Sequence, residues 1–458
     1  MQITLPFGEN NIPVTVPDGT DVLAPAPAAA LSDPAAELRY ALAHPIGCAP
    51  LRDIAAEKHA AGGRLACIVV SDNTRPVPYQ GKDGILLPLL QLLQDCGWQR
   101  EEICILIACG THAPMNRMEI EQMLGREPYE MGIRIENHNC RADDLVDVGV
   151  TARGTAAKIN PLYAHADLKI LTGLVESHFM AGASGGRKSV CPGIFGEQGT
   201  FVFHGPALMA DENARDLQLD GNPVHEESLA VAKMAGVDFI VNVTLDGQFR
   251  PTGIFCGDLE QAHLAAVEKL KAGVGIPFDG EYDLVITHAG FVGRNHYQSA
   301  KAAVEASYCV KPGGAVILAA NNHDRNPLGS ERYVHCCGML RRFGAKGFLQ
   351  AITAPGWTFL PDQWQVQMWA RLFGKIRMED LIYFAPQLTA ADFSHLPGTD
   401  GSRYRPAGLM GNEAVAAVVE NAVAAVLAKR GMTEEDVRAG RFRIAYLAEG
   451  PYAVPMKA

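Results

Sequence analysis

The sequence predicts an α/β fold of two domains, each a largely parallel sheet flanked by helices. Short runs of apolar, β-branched residues alternate along the chain with longer segments of helical periodicity. This alternation is typical of parallel sheets that are covered by helices. The 458 residues also exceed the roughly 250 to 300 residues at which a single hydrophobic core stops growing. Two domains are therefore expected.

The spacing of apolar residues places each predicted element. Apolar runs bounded by turn residues predict buried strands at 65–70, 103–108, 168–171, 239–243, 284–287, 315–319 and 443–447. Apolar residues at helical spacing predict helices at 85–96, 119–124, 258–272 and 412–430. Because the strands alternate with the helices, they are expected to pair in parallel.

The stretch GVGIPFDG at 273–280 has the Gly and Pro content of a connector, and the strand-helix pattern restarts after it. We therefore predict an N-terminal domain over 1–274 and a C-terminal domain over 278–435. The final segment, about 438–458, begins with a strand that follows a long helix. We expect this segment to return to the N-terminal domain.

Composition excludes several classes of protein. The net charge of -11 is spread along the chain without a basic run, which argues against nucleic-acid binding. The first residues lack a signal-peptide profile, and no stretch reaches the roughly 18 uninterrupted apolar residues of a membrane span, so a cytoplasmic protein is expected. The 11 cysteines are scattered and odd in number, which favours reduced thiols over disulfides.

Polar and ionisable residues follow three of the predicted strands directly. SDNTRPVP comes directly after Val70, CGTHAPM directly after Ala108, and TGLVESHFMAGASGGRKS directly after Leu171. In open parallel sheets, ligands collect beyond the carboxyl ends of the strands. These three segments therefore indicate a functional site.

The glycine-rich loop at 182–189 resembles a phosphate-binding P-loop only in part. That motif needs glycine directly before its lysine, and Arg187 stands there instead. An anion-binding loop still fits, in which Arg187 and the backbone N–H groups around Gly185 and Gly186 hold a phosphate. Lys188 is then left as an amine nucleophile. The alternative is a tight turn that carries two solvated cations.

Three histidines stand in Gly-rich or turn-like surroundings, where a packed core role is less expected. They are His112, His178 and His204. A neutral imidazole suits nickel, zinc or copper, and its near-neutral pKa suits proton transfer, so the three could divide into one metal ligand and two bases. Spacing alone leaves these roles open, and each histidine taken singly is more often structural.

Two further groups are candidates for substrate binding. Asp72 and Arg75 lie in the rigid turn DNTRP, where Arg75 could bind a carboxylate through its two-pronged guanidinium, although an Asp-Arg surface pair is an equal alternative. Gln298 and Lys301 in NHYQSAK are one helical turn apart and would share a face. They could close over the ligands of the first domain.

Five segments together carry a family resemblance, and they occur in the family's order over nearly the whole chain. They are SDNTRPVP, GTHAP, ESHFMAGASGGRKSVCPG, NHYQSAK and PDQW. They resemble the nickel-pincer-nucleotide-dependent lactate racemase family, a set of 2-hydroxy-acid racemases and epimerases. The resemblance implies an active site in the cleft between the two domains. It also implies partner proteins that synthesise the cofactor.

The resemblance also implies roles for individual residues. Lys188 would tether the nickel-pincer nucleotide, pyridinium-3,5-bisthiocarboxylic acid mononucleotide nickel, His204 would bind its nickel, and His112 and His178 would be the paired acid and base. The other implied cofactor-binding residues are Asp72, Gly185, Gly186, Arg187 and Ser189. The implied substrate-binding residues are Arg75, Thr111, Ala183, Tyr297, Gln298, Lys301 and Trp364.

The resemblance implies a reaction in which hydride leaves the hydroxyl-bearing carbon and returns to its opposite face through a 2-keto acid. Thr111 and Ala183 stand where lactate-acting members carry aromatic residues, so a longer, more polar acid such as a sugar acid is expected. Two alternatives stay open: a divalent-metal hydrolase or lyase that uses the histidines as ligands, and a non-catalytic carrier of the nickel cofactor. No feature of the sequence assigns an oligomeric state.

Overall fold

A computed structural model describes residues 1–457 as two compact units. The N-terminal unit comprises 27–273, and the C-terminal unit comprises 1–26 together with 274–458. The division after residue 273 lies beside the connector that the sequence indicates. The first 26 residues, however, belong to the C-terminal unit and not to the N-terminal domain predicted over 1–274.

The strands are short, and most are buried on at least one face. In chain order they are β1 (Gln2–Phe7), β2 (Asn10–Thr15), β3 (Asp21–Leu23), β4 (Ala66–Ser71), β5 (Ile103–Ala108), β6 (Arg134–Asn137), β7 (Val146–Val150), β8 (Ala156–Ile159), β9 (Leu168–Leu174), β10 (Ser177–His178), β11 (Gly182–Ala183), β12 (Phe239–Leu245), β13 (Pro251–Gly257), β14 (Gly275–Phe278), β15 (Tyr282–His288), β16 (Val310–Ala319), β17 (Leu381–Phe384), β18 (Thr399–Asp400), β19 (Ile444–Leu447) and β20 (Val454–Lys457). All seven runs that the sequence predicts as strands are confirmed.

The helices lie between these strands. They are α1 (Pro34–Ala43), α2 (Leu51–Ala60), α3 (Leu86–Asp95), α4 (Arg117–Leu124), α5 (Glu127–Glu130), α6 (Pro161–Ala164), α7 (Glu197–Phe203), α8 (Pro206–Met209), α9 (Pro223–Ala235), α10 (Gln261–Val274), α11 (His296–Cys309), α12 (Glu331–Ile352), α13 (Gln363–Phe373), α14 (Gly411–Arg430) and α15 (Glu434–Arg438). The four helices predicted from periodicity are confirmed as α3, α4, α10 and α14.

The N-terminal unit is built on a six-stranded sheet of order β13-β12-β9-β4-β5-β6. All neighbours are parallel except β12 and β13, which are antiparallel. Strand β4 reads Ala-Cys-Ile-Val-Val, and all five residues are buried, as expected of a central strand covered on both faces. Helix α3 buries leucines at helical spacing against this sheet. The carboxyl ends of β4, β5 and β9 therefore lie side by side.

The C-terminal unit has a second six-stranded sheet, which is parallel throughout, with order β18-β17-β16-β15-β19-β3. Strand β19 inserts between β15 and β3, and β20 pairs with β14. The prediction that 438–458 returns to the N-terminal domain is therefore wrong. The backbone groups of β19 are bonded on both sides within the C-terminal sheet, which fixes the segment there.

Helix α14 is the one helix among residues 1–457 that is long and apolar enough to cross a membrane, by length and composition alone. Its buried face is rich in alanine and valine and packs into the core that also contains residues of β1, β2 and β15. It is thus packed as a core helix of the C-terminal unit.

Candidate active site

A histidine-carboxylate pair lies beyond the carboxyl ends of β4 and β5. Asp72 directly follows β4, and its Oδ2 lies 2.6 Å from Nδ1 of His112, in the loop after β5. The Asp72 side chain is 6% exposed, whereas that of His112 is 55% exposed. Since a carboxylate only accepts hydrogen bonds, Nδ1 of His112 carries the proton and Nε2 presents a lone pair. This is the arrangement of a general base whose tautomer is fixed by a carboxylate.

Asp72 is ionised despite its burial. Burial raises its pKa, but hydrogen bonds from His112 and Thr74 outweigh this effect, so the pKa lies below its ordinary value. Thr74 donates to Oδ1 from both its hydroxyl group, at 2.5 Å, and its backbone N–H, at 3.2 Å. The two carboxylate oxygens therefore have separate partners, and this division fixes the carboxylate against His112.

Glycine shapes the loop that carries His112. Gly110 has φ +55°, and a Cβ there would lie 3.3 Å from the carbonyl oxygen of Pro192. The Gly110 N–H donates to the Gly193 carbonyl at 2.9 Å. A side chain at position 110 would strain this approach, so the loop keeps its course against the 192–193 segment only with glycine.

Arg75 pairs with Glu176, a residue that the sequence analysis does not single out. Nε of Arg75 lies 2.9 Å from Oε1 of Glu176, and Nη1 donates to the Thr74 carbonyl at 3.1 Å. The Asp-Arg surface pair that was the alternative reading is wrong, because Asp72 bonds His112 and Thr74 instead. The only signal for Glu176 in the sequence is a carboxylate two residues before His178.

His178 lies on the short hairpin of β10 and β11, where it pairs with Gly182. Its Nδ1 accepts the backbone N–H groups of Met180 at 3.3 Å and Ala181 at 3.2 Å. In the neutral ring the proton therefore lies on Nε2. His178 and His112 are held in opposite tautomers, with an N–H at Nε2 of the first and a lone pair at Nε2 of the second.

Lys188 lies partly buried in the short 3-10 turn Gly186–Ser189, with its Nζ 5.9 Å from the centroid of the Phe203 ring. Burial of the ammonium group, and then the positive charges of Arg75 and Arg187, hold the pKa of Lys188 well below its ordinary value. A lysine in such surroundings is more readily neutral and thus more nucleophilic.

His204 directly follows helix α7, and its ring packs edge-on against the Phe203 ring at 4.7 Å between centroids. Burial, and then the charges of Lys188 and His112, lower the pKa of His204 to about 3. The imidazole is therefore neutral at physiological pH and has the protonation state that a metal ligand needs. Phe203 therefore lies next to both the lysine and this histidine.

The glycine pair before Lys188 is packed against protein groups. Gly185 has φ +75°, and a Cβ there would lie 2.7 Å from Val175 and 3.0 Å from the side-chain oxygen of Asn242. The Gly186 N–H donates to the same oxygen at 3.0 Å. The expected phosphate nest at Gly185 and Gly186 is therefore not formed, since Gly186, the second glycine, already has a protein acceptor.

Arg187 also differs from its expected role as a phosphate ligand. Its residue exposure is 1%, and its guanidinium donates to the carbonyls of Gly185 and Ala181. Nη1 lies 3.0 Å from Nε2 of His263, the same nitrogen that lies 2.9 Å from the Ser184 carbonyl oxygen. Burial lowers the pKa of Arg187 to about 9. Ser189 is likewise buried and donates to the Thr172 carbonyl. Both side chains therefore bond backbone carbonyls and anchor the loop.

The two positions proposed to enlarge the substrate pocket have different surroundings. Thr111 is exposed beside His112, whereas Ala183 has 0% exposure and pairs with Ser177 across the β10–β11 hairpin. The methyl group of Ala183 is therefore enclosed. Thr111 alone keeps an accessible side chain.

The four candidate residues of the C-terminal unit lie on two helices: Tyr297, Gln298 and Lys301 on α11, and Trp364 on α13. Asn295 caps α11 by accepting the Gln298 N–H at 2.8 Å. Nε1 of Trp364 donates to the hydroxyl group of Tyr297 at 2.8 Å, which ties the two helices together. Gln298 and Lys301 share a face of α11, as their spacing predicts.

Two family models match this chain. A family model described as the lactate racemase N-terminal domain matches residues 7–216, and one described as the lactate racemase C-terminal domain matches 279–395. Together they match more than half of the chain. The chain belongs to the lactate racemase family. It is therefore an isomerase of the racemase type, and this family implies a nickel-containing cofactor.

Similar relatives and solved structures agree with membership of the lactate racemase family. Lactate racemase from Lactiplantibacillus plantarum is 33% identical over 333 residues, which cover 72% of this chain and 76% of that protein. Lactate racemase from Thermoanaerobacterium thermosaccharolyticum is 32% identical over 344 residues, 73% of this chain and 76% of that protein. A solved structure of the lactate racemase apoprotein from T. thermosaccharolyticum has a TM-score of 0.82 and 26% identity, with 100% of both chains covered.

Lys188 and His204 fit the nickel-containing group that this lactate racemase family implies. A depressed lysine pKa and a neutral imidazole, both next to Phe203, provide one nucleophilic amine and one nitrogen ligand. Among residues 1–457, no three His, Cys, Asp or Glu side chains are grouped so that they could hold a metal ion.

Proposed function

We propose that this protein inverts the hydroxyl-bearing carbon of a 2-hydroxy acid by moving a proton and a hydride, with a nickel-pincer nucleotide held at Lys188 and His204. The observation that carries the proposal is the pairing of His112 with Asp72 in the same unit, close enough to His204 for the charge of His112 to lower its pKa. Such a reaction needs a general base, a nitrogen ligand for the metal and a nucleophilic amine. His112, His204 and Lys188 would supply them.

The chemistry explains why a hydride acceptor is needed. Inversion requires that the C–H bond be broken and remade on the opposite face, and this hydrogen is poorly acidic beside an ionised carboxylate. When bound, the nickel nucleotide would accept the hydride and return it. The remaining tasks, which are to bind the acid, to move the hydroxyl proton and to stabilise charge, belong to side chains of this protein.

His112 is prepared to take the hydroxyl proton. Its Nε2 carries the lone pair, and the Asp72 carboxylate stabilises the imidazolium that results. His178 presents an N–H at Nε2 and donates a hydrogen bond to the reacting oxygen. To act as the base in the opposite direction, His178 must move its proton to Nδ1. The N–H groups of Met180 and Ala181 must then release that nitrogen.

Arg75 is the proposed ligand of the substrate carboxylate in the N-terminal unit, because a guanidinium binds a carboxylate in a two-pronged manner. In the C-terminal unit, Tyr297, Gln298, Lys301 and Trp364 stay our proposed substrate ligands. An amide and an ammonium group on one face of α11 suit an acid that carries hydroxyl groups.

We propose a substrate larger than lactate, the acid named for the relatives, such as a sugar acid. The exposed hydroxyl group of Thr111 beside His112 supports a longer, more polar acid. Because Ala183 is enclosed, it lends no support to a wider pocket. Racemisation assays by chiral chromatography should find turnover of malate or aldonates, and turnover of lactate alone would reject the larger substrate.

A deuterium label at the hydroxyl-bearing carbon tests the reaction itself. Hydride transfer in water predicts that the inverted product keeps the deuterium, whereas proton abstraction would exchange it for solvent hydrogen. His112→Gln should lower turnover by about 100-fold or more, as expected when a general base is removed. His165→Gln, an exposed histidine of the same unit, is the matched control. Loss of the label in the product would reject hydride transfer.

A further inference from the structure

Glu176 lies between the end of β9 and the hairpin that carries His178. Its backbone is fixed by two hydrogen bonds to Ser184. The Glu176 N–H donates to Oγ of Ser184 at 3.0 Å, and the Ser184 N–H donates to the Glu176 carbonyl at 2.9 Å. Its side chain, in contrast, is 42% exposed. Glu176 therefore combines an anchored Cα with a carboxylate that has room to change rotamer.

The carboxylate of Glu176 has one ionic partner, Arg75. The contact joins a single oxygen to Nε at 2.9 Å. Among residues 1–457, the structure gives this carboxylate no other hydrogen bond or ion pair. Arg75 has a second anchor, because Nη1 donates to the Thr74 carbonyl at 3.1 Å. Rotation of Glu176 away from Arg75 would leave the guanidinium held at its other end.

We propose that Glu176 is an internal stand-in for the substrate carboxylate, which pairs with Arg75 in the absence of acid and leaves when the acid binds. The inference rests on the proposed function, since it requires that Arg75 binds the carboxylate of a 2-hydroxy acid. A carboxylate supplied by the chain and one supplied by the substrate then compete for the same cation.

The strength of the pair suits an exchange. The Arg75 side chain is 33% exposed, and partly exposed ion pairs contribute little free energy because water and salt screen them. Glu176 also offsets positive charge at Arg75 and Lys188, which lie close enough for Arg75 to lower the pKa of Lys188. An arriving carboxylate would replace this negative charge one for one.

The variant Glu176→Gln tests the exchange because it removes the competing charge and keeps the size of the side chain. We expect the KM for a turned-over 2-hydroxy acid to fall by roughly two- to fivefold, the range that a partly exposed ion pair allows. KM is the suitable readout because, unlike kcat, it does not depend on the fraction of protein that carries cofactor. Glu226→Gln is the matched control, since Glu226 pairs with Arg153 at 2.6 Å and is 44% exposed.

A double-mutant cycle and a binding measurement complete the test. In an Arg75→Gln background, Glu176→Gln should no longer lower KM, because its effect acts through Arg75. Pyruvate binding to protein without cofactor, measured by calorimetry, should tighten by the same factor in Glu176→Gln. The exchange would be overturned if Glu176→Gln had an equal or higher KM than the wild type and also bound pyruvate no more tightly. Absence of pyruvate binding to both proteins counts as no tighter binding. Tighter pyruvate binding without racemisation of any acid would reject the proposed function and retain the exchange.

Discussion

Replacing Asp72 by asparagine perturbs the contact that prepares His112 for proton transfer. In the native arrangement Oδ2 lies 2.6 Å from Nδ1 of His112, while Oδ1 accepts both donors of Thr74. An asparagine that keeps its oxygen towards Thr74 must direct its NH2 group at His112. Nδ1 of His112 must then accept, and the proton moves to Nε2, where the lone pair is needed.

The size of the effect follows from the lost interaction. A hydrogen bond to a charged group contributes about 1.5 to 3 kcal/mol, which corresponds to roughly 10- to 150-fold in rate. We expect Asp72→Asn to lower kcat by this factor. The fold should stay intact, because asparagine is nearly isosteric and Thr74 keeps its acceptor.

Two measurements check this prediction. Racemisation kinetics give kcat, and histidine-selective 15N NMR gives the tautomer of His112 directly. Asp144→Asn, at an exposed aspartate of the same unit, is the control for the change in charge. A change in kcat below threefold, or a variant in which Nδ1 of His112 stays protonated, would refute the reasoning.

Three further predictions concern packing, pH and substrate choice. Gly186→Ala should lower the free energy of unfolding by about 2 to 4 kcal/mol, because its Cβ would lie 2.9 to 3.2 Å from side-chain atoms of His263 at φ +50°. Gly313→Ala, at a glycine with positive φ but open space, should lower it by about 1 kcal/mol. Equal losses of the two variants in urea unfolding would contradict the packing argument. Burial lowers the pKa of His288 from 6.5 to about 4, so the neutral ring stabilises the fold above pH 6.5 and up to about 3 kcal/mol is lost as the pH falls towards 4. His288→Gln should flatten this part of the stability profile, and an unchanged slope would argue against it. Thr111→Phe should raise the kcat/KM ratio of lactate to malate, and an unchanged ratio would remove Thr111 from substrate selection.

The parallel sheets could be predicted from the sequence because buried strands have a local signal. The runs at 65–70 and 103–108 contain little but apolar residues, and their strands pair with each other inside the N-terminal sheet. The membership of 1–26 and 438–458 could not be predicted in this way. Which sheet a strand joins depends on pairing partners far away in sequence, as β3 pairs with β19 more than 400 residues later.

The same distinction between local signals and remote partners applies to the site residues. Asp72 and His112 follow neighbouring strands, so the sheet rule brings them together. Arg187 was expected to be a phosphate ligand because it follows a run of small residues that could form a backbone nest for an anion. Its carbonyl acceptors lie within six residues, but its histidine partner, His263, lies 76 residues away. Glu176 was missed because its partner Arg75 is even more remote, 101 residues earlier in the sequence.

Intact-mass and metal analysis of protein made together with the cofactor-synthesis proteins tests the central claim most directly. We expect wild-type protein to carry one nickel and a covalent mass addition of the nucleotide, and Lys188→Ala to carry neither the addition nor stoichiometric nickel. Zinc without an addition would favour a metal hydrolase or lyase, and loaded protein without hydride exchange would favour a cofactor carrier. Unmodified, nickel-free wild-type protein under these conditions would contradict the account.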